Sequence, residues 1–120
     1  MLPKRYRLKK NIEFVATYAQ KKYVSNAYFT VNLGKTKPAE DFVSKAAFVV
    51  SKKIDKRAVV RNKIKRRMRE VYKKVLAETP NFPKWISVIF SAREAAKDAD
   101  FCTFEREIRF LIKKAEEKYD

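Results

Sequence analysis

The chain has 120 residues and a formal net charge of +16, with one glycine, one cysteine and no histidine. The lone cysteine excludes an intrachain disulfide, and the lack of histidine removes the commonest general base and metal ligand. A single glycine argues against phosphate-binding loops and dinucleotide fingerprints, which need several. A hydrophobic content of 46% can supply a core, so we expect one domain over residues 1–120.

The positive charge is concentrated in the first part of the chain. Residues 1–74 carry 22 basic and 5 acidic side chains, whereas residues 75–120 carry 8 and 9. This asymmetry predicts a polyanion-binding face, and nucleic acid is the commonest polyanionic partner. Residues 1–10 form a basic segment with no apolar signal region. We expect it to be an arm that orders on its partner, in a cytoplasmic protein with no membrane or small-molecule partner.

The first predicted helix follows Asn11, a favoured N-cap residue, and runs for about ten residues. The 100° step per residue gives this helix two apolar stripes on nearly opposite sides. An aromatic stripe of Phe14 and Tyr18 either covers more core or lines a groove for stacking. The other stripe is aliphatic, is expected to dock the helix on the core, and consists of Ile12, Val15, Ala16 and Ala19.

Strands are predicted in residues 23–33, 46–51 and 85–90, with Phe29, Val31 and Leu33 on one face. A long helix is predicted from about residue 55 to 77, and a final helix begins at the N-cap Thr103. The buried face of that last helix is predicted to be Phe104, Ile108, Leu111, Ile112 and Ala115. The order α-β-β-(β)-α-β-α predicts an α/β (α+β) fold, a two-layer sandwich in a single small domain.

The long helix is the most informative segment. Residues 52–74 hold twelve Lys or Arg against two acids, threaded through apolar residues at helical spacing. Its apolar stripe is Val60, Ile64, Met68, Val71 and Val75. Next to it lies an arc without any acid, made of Arg61, Asn62, Lys65, Arg66, Arg69 and Lys73. Like charges at this spacing repel one another, which destabilises the free helix. RNA phosphates would replace this repulsion by attraction. Ordinary solvent-exposed helix faces usually carry both positive and negative charges.

The segment SKKIDKRAVVRNKIKRRMRE at 51–70 resembles the signature of the bacterial ribonuclease P protein component. The resemblance extends to RLKKNIEF at 7–14, SNAYFTVNL at 25–33 and SAREAA at 91–96. It implies a four-stranded sheet like that of the second domain of ribosomal protein S5. It also implies a ribonucleoprotein endoribonuclease that matures the 5′ end of tRNA, with ribonuclease P catalytic RNA and precursor tRNA as partners.

The same resemblance implies site residues by position. Catalytic and metal-binding groups are expected in the RNA together with Mg²⁺, and none in the protein. The cleft for the 5′ leader would use Phe14, Tyr18 and Tyr28, while Asn32 stands where the family often has an aromatic residue. The contacts to the RNA subunit would be Lys52, Lys53, Arg61, Asn62, Lys65, Arg66 and Arg69.

Two other functions fit parts of the sequence. A ribosomal protein or general RNA chaperone has a similar composition, and it differs in not selecting one RNA at raised salt. A protein-only nuclease would need clustered carboxylates, for which Asp98, Asp100, Glu105 and Glu107 are the candidates. Acids beside a helix start are more simply explained by the helix dipole. Cys102 is expected to be a small buried residue rather than a nucleophile.

Overall fold

The structure, a computed structural model, describes residues 4–39, 43–79 and 84–119. The order of elements in these ranges is the predicted one, including the third strand before the long helix. Short 3-10 turns occur at Lys4–Tyr6 and Glu94–Asp98, the second of them in the predicted connection. The helices and strands are α1 Asn11–Ala19, β1 Lys22–Ser25, β2 Phe29–Leu33, β3 Lys45–Val49, α2 Ala58–Glu78, β4 Ser87–Ala92 and α3 Phe101–Tyr119.

The four strands form one mixed sheet in the order β1-β2-β4-β3. β1 pairs with β2 and β2 with β4 in antiparallel fashion, whereas β3 and β4 are parallel. Parallel neighbours need a long crossover, and α2 supplies it. The basic helix is therefore fixed to the sheet at both of its ends.

α2 and α3 cover one face of the sheet and enclose the main core. β2 alternates as predicted, with Phe29, Val31 and Leu33 at most 1% exposed. All five predicted α3 residues are buried, and so are four of the five predicted α2 residues, with Val60 half-buried. Tyr72 joins them on α2. Burial of this apolar surface is the main driving force for the fold.

α1 lies over the opposite face of the sheet, and its orientation corrects the prediction. Ile12 is 74% exposed and Val15 is 58% exposed, so the aliphatic stripe does not dock the helix. Phe14 instead packs against a small cluster around Ile89, and Thr17 is buried at 2% exposure. The helix has nine residues and is tied at one end to β3 and at the other to β1, so these connections fix its rotation.

Several element boundaries also differ from the prediction. α1 begins after Lys10, whose amide donates to the Glu13 carboxylate at 3.4 Å, so Asn11 is not the cap. At α3 the Asp100 carboxylate accepts the Thr103 amide at 2.8 Å, which makes Asp100 the capping residue. β4 begins two residues after the predicted strand start at 85. Cys102 is exposed, because it lies about 200° around α3 from buried Phe104.

The two outer strands are contacted by segments near the two ends of the chain. Arg7 forms a bridge with Ala46 of β3, and the Leu8 amide donates to the Ala46 carbonyl at 2.8 Å. On β1, the Tyr119 hydroxyl lies 3.2 Å from both the amide and the carbonyl oxygen of Tyr23. The segment around Arg7 and Leu8 therefore already lies against β3, whereas the sequence suggested that residues 1–10 form an arm that orders on its partner. Residues 1–3 of that predicted arm lie outside the described ranges.

Candidate nucleic-acid interface

The flank of α2 that faces β3 carries the predicted RNA-binding residues. The apolar stripe packs on the sheet, so the neighbouring arc must face outward. Asn62 and Arg66 are exposed, Lys65 and Arg69 are half-buried, and the turn before α2 exposes the Lys52 and Lys53 side chains. Within the described chain, the side chains that make no hydrogen bond or ion pair include Lys52, Lys53, Asn62, Lys65, Arg66 and Arg69. Their donors are available to a ligand.

Arg61 differs from the rest of this flank. Its Nη1 atom donates to the carbonyl oxygens of Asp55 at 3.0 Å and Lys56 at 2.7 Å. The guanidinium thereby holds the turn against the first turn of α2. Arg61 is half-buried. It therefore stabilises the turn before α2 and offers only part of its side chain to RNA.

Asp55 fixes the start of α2. Its carboxylate accepts the Arg57 amide at 2.8 Å and the Arg57 guanidinium at 3.1 Å, and it pairs with Lys97 at 3.1 Å. Its side chain is only 5% exposed. The hydrogen bonds from Arg57, first from the guanidinium and then from the amide, hold the pKa of Asp55 well below its usual range. An ionised Asp55 thus anchors the basic turn before any partner binds.

On the other flank of α2, two cations are tied to α3. Arg67 donates from Nη1 to the Ala99 carbonyl at 3.0 Å and lies over the Phe104 ring, 5.8 Å from its centroid. Lys74 pairs with Glu105 at 3.1 Å. These contacts join the two helices, so the two flanks of α2 serve different purposes although both are basic.

A groove joins the β3-side flank of α2 to α1. It has a volume of about 340 Å³ and runs past the outer edge of β3. Phe14 supplies an aromatic ring on one side, and Lys65 and Arg69 supply positive charge from the other. Such a combination suits single-stranded nucleic acid, whose bases stack on aromatic rings while its phosphates meet cations. The lining residues are Arg7, Leu8, Lys9, Phe14, Ala46, Ala47, Phe48, Lys65 and Arg69.

The predicted leader-binding residues are not all in this groove. Phe14 lines it, and Tyr18 lies one helical turn further on, 45% exposed. Tyr28 is half-buried, packs against the main core, and accepts the Arg93 amide through its carbonyl at 2.7 Å. The structure therefore brings Phe14 together with the basic residues of α2 and leaves both Tyr18 and Tyr28 outside the groove lining.

Six of the nine lining residues were not proposed as site residues from the sequence, and three of them, Arg7, Lys9 and Phe48, bring charge or an aromatic ring. Arg7 and Lys9 were recognised only as charges of the N-terminal segment, and Phe48 only as part of a strand. Their positions depend on the bridge between Arg7 and Ala46, which joins residues far apart in sequence. The one signal available was the density of basic residues before α1.

The acidic residues considered for a nuclease have other roles. Asp100 caps α3, and the Thr103 amide lowers its pKa. Lys74 is the main cause of the lowered pKa of Glu105, and Glu107 contacts Arg106 and Asn26. Over the described ranges, no three His, Cys, Asp or Glu side chains are grouped so that they could hold a metal ion. No described helix has the length and apolar content needed to cross a membrane.

Comparison with known proteins agrees with this geometry. The family model for ribonuclease P matches residues 2–116. The ribonuclease P protein component of Clostridium botulinum (strain Alaska E43 / Type E3) is 36% identical, covering 96% of this chain and 92% of its own. That of Staphylococcus carnosus is 36% identical, covering 95% and 93%. The structure of the Staphylococcus aureus RNase P protein superposes with a TM-score of 0.75 at 33% identity, covering 92% of this chain and 94% of that one. This chain therefore belongs to the ribonuclease P protein family and is a protein component of that enzyme.

Proposed function

We propose that this subunit binds the catalytic RNA of ribonuclease P through the β3-side flank of α2 and holds the 5′ leader of precursor tRNA in the adjoining groove. The observation that carries the proposal is that Phe14 shares one groove with Lys65 and Arg69. A single-stranded RNA segment bound to the β3-side flank of α2 can therefore continue into the groove and stack on Phe14 while its phosphates stay close to Lys65 and Arg69. The complex would act in the cytoplasm, where tRNA precursors are processed.

Binding of the RNA subunit is mainly electrostatic. The cations of this flank repel one another in the free protein, and closely spaced phosphates replace that repulsion by attraction. Arg66 and Asn62 are exposed and unpaired with any described side chain, so they can donate directly to RNA oxygens. Asp55 and Arg61 hold the turn that presents Lys52 and Lys53, which limits the ordering cost on binding.

The groove adds contacts that a double-stranded region cannot make. An unpaired base stacked on Phe14 is stabilised by about 1–3 kcal/mol. Lys65 and Arg69 face the same groove and would neutralise the leader backbone. Because these two residues also belong to the α2 flank, they would contribute to both RNA surfaces, whereas Phe14 would serve the leader alone.

The hydrolytic step is assigned to the RNA subunit with its bound Mg²⁺. Support comes from the structural use of the best-placed acids, since Asp100 caps α3 and Glu105 pairs with Lys74. The protein would lower the Mg²⁺ requirement by screening repulsion between the RNA subunit and its substrate. The proposal assigns no catalytic side chain of this chain to the reaction.

Cleavage of a precursor tRNA at low Mg²⁺ tests the proposal. Three samples would be compared: a bacterial ribonuclease P RNA alone, the same RNA with this protein, and the protein alone. We expect correct 5′ cleavage to be stimulated only when both components are present. Cleavage by the protein alone would reassign catalysis to its acids. Stimulation that is equal for substrates with and without a leader would remove the leader from the proposed function.

A further inference from the structure

Gly34, the only glycine of the chain, directly follows β2 and lies opposite Ser87 of β4. Its amide donates to the Ser87 carbonyl at 2.8 Å. Its φ is not in the left-handed region, so the backbone conformation does not demand glycine. The available space does demand glycine, because a Cβ added at position 34 would lie closer than 3.0 Å to the Ser87 hydroxyl oxygen, a distance that Cβ atoms in proteins essentially never show.

The Ser87 hydroxyl is not free to move away. Ser87 is 5% exposed, and its Oγ lies 2.5 Å from Oγ1 of Thr17 on α1. Thr17 Oγ1 already donates its single proton to the Glu13 carbonyl at 2.8 Å. Ser87 must therefore be the donor to Thr17. A rotation of the Ser87 side chain would break this hydrogen bond and leave a buried hydroxyl without its partner.

This contact holds α1 on the sheet. Thr17 is the one fully buried residue of α1, so the helix is anchored by this polar pair together with the packing of Phe14 against the cluster around Ile89. Phe14 lies three residues earlier on the same side of the helix, where it lines the groove. Any lift or tilt of α1 at Thr17 therefore moves the Phe14 ring relative to Lys65 and Arg69.

We propose that Gly34, Ser87 and Thr17 are positioning residues for the groove. Gly34 leaves the volume in which the Ser87 hydroxyl sits, Ser87 holds Thr17, and Thr17 sets the distance of α1 from the sheet. The choice of glycine at position 34 thereby determines the width of the site where the leader is proposed to bind. This inference rests on the proposed function for its effect on RNA, but its structural part is independent of it.

A double-mutant cycle tests the inference. Gly34→Ala should displace the Ser87 hydroxyl and accelerate hydrogen exchange of the amides in residues 11–19 by about tenfold in the free protein. In the Gly34→Ala/Ser87→Ala protein the added methyl group takes the volume of the missing hydroxyl, so exchange should return to the rate of Ser87→Ala alone. Amides of α3 serve as the internal control and should keep their rates in all four proteins.

The same proteins, assembled with the RNA subunit, are then tested with precursor tRNA that carries or lacks a leader. Gly34→Ala should weaken binding of the leader-bearing substrate about tenfold and spare the leaderless one, while the double variant should bind like Ser87→Ala alone. If hydrogen exchange in α1 changes as predicted for the four proteins but leader affinity does not change, the positioning role is supported and the groove is not the leader-binding site. If α1 exchanges at the wild-type rate in Gly34→Ala, the inference is overturned.

A second pair of variants keeps the test decisive if Gly34→Ala does not fold. Thr17→Val keeps the shape of the side chain but removes the acceptor for Ser87, whereas Thr17→Ser retains it. We expect faster α1 exchange and weaker leader binding for Thr17→Val, with Thr17→Ser close to wild type. Equal behaviour of the two variants would overturn the positioning role.

Discussion

Two arginines five residues apart on α2 illustrate how residues with the same charge differ in role. Arg61 holds two carbonyl oxygens of the preceding turn, whereas Arg66 is exposed and makes no such contact in the described chain. The sequence placed both on one RNA-binding arc. Only the structure shows that Arg61 also stabilises the fold.

We therefore expect Arg66→Ala and Arg61→Ala to separate binding from stability. Arg66→Ala should weaken binding of the RNA subunit and reduce its salt slope by about one, with unfolding free energy changed by less than about 0.5 kcal/mol. Arg61→Ala should weaken binding and also destabilise the protein by about 1–3 kcal/mol, since hydrogen bonds to two carbonyl oxygens, one of them part-buried, are lost. Filter binding over a salt series and urea unfolding measure the two effects, and equal destabilisation by both would contradict this assignment.

Asp55 makes stability depend on pH. Its pKa is depressed in the folded protein, so its contribution is present above the ordinary aspartate pKa of about 3.9 and is lost as pH falls toward the folded value. Asp55→Asn keeps an acceptor for the Arg57 amide but removes the charge. We expect this variant to be less stable than wild type at pH 7, with the difference shrinking as the pH is lowered through about 4.

Urea unfolding at several pH values measures this difference. Asp98→Asn is the matched control, because Asp98 is an exposed acid of the same region and makes no ion pair in the described structure. It should change stability little across the series. A difference between Asp55→Asn and wild type that stays constant down to pH 3 would show that the charge of Asp55 is not responsible.

At the scale of elements, α1 has one functional face and one exposed aliphatic face. Phe14→Ala should weaken binding of leader-bearing precursor tRNA by about 1–3 kcal/mol while leaving affinity for the RNA subunit unchanged. Ile12→Ala on the opposite side is the control, since Ile12 is 74% exposed and lies outside the groove lining. Fluorescence titration of the assembled particle checks both. Equal losses for the two variants would show that the groove is not the leader site.

The elements that could be predicted from sequence are those whose periodicity reports burial directly. The stripes on α2 and α3 and the alternation in β2 each face one continuous core, so their patterns are regular. The rotation of α1 could not be predicted, because a nine-residue helix docked by a Thr17–Ser87 hydrogen bond carries no matching apolar pattern. Thr103 looked like a cap by type, yet Asp100 three residues earlier is the residue that accepts the amide.

The candidate site likewise has one part that could be predicted from the sequence and one part that could not. The basic arc of α2 could be identified because all of its members lie on one helix. The groove could not, since it is assembled from α1, the N-terminal segment, β3 and α2, and depends on contacts distant in sequence. The family resemblance supplied Phe14 and Tyr18, and the grouping of Phe14 with Lys65 and Arg69 emerged only from the fold.

At the scale of the whole molecule, the uneven charge has a cost in the free protein. The β3-side flank concentrates cations that are paired with no described acid, and their repulsion acts over about 10 Å at 0.1 M salt. We expect the melting temperature to rise as KCl is increased from about 0.05 to 0.5 M, because screening reduces this repulsion. Arg66→Gln should raise it at low salt, whereas Lys113→Gln on α3 should not. A melting temperature independent of salt would argue against self-repulsion.

The edges of the sheet have a consequence for the subunit before it is assembled. An open outer strand is a template on which another molecule can add a strand, and such additions propagate into aggregates. Here the Leu8 amide engages β3, and the Tyr119 hydroxyl engages both backbone groups of Tyr23 on β1. These contacts occupy backbone groups on both outer strands, which lowers the tendency of unassembled copies to pair edge to edge before they meet RNA.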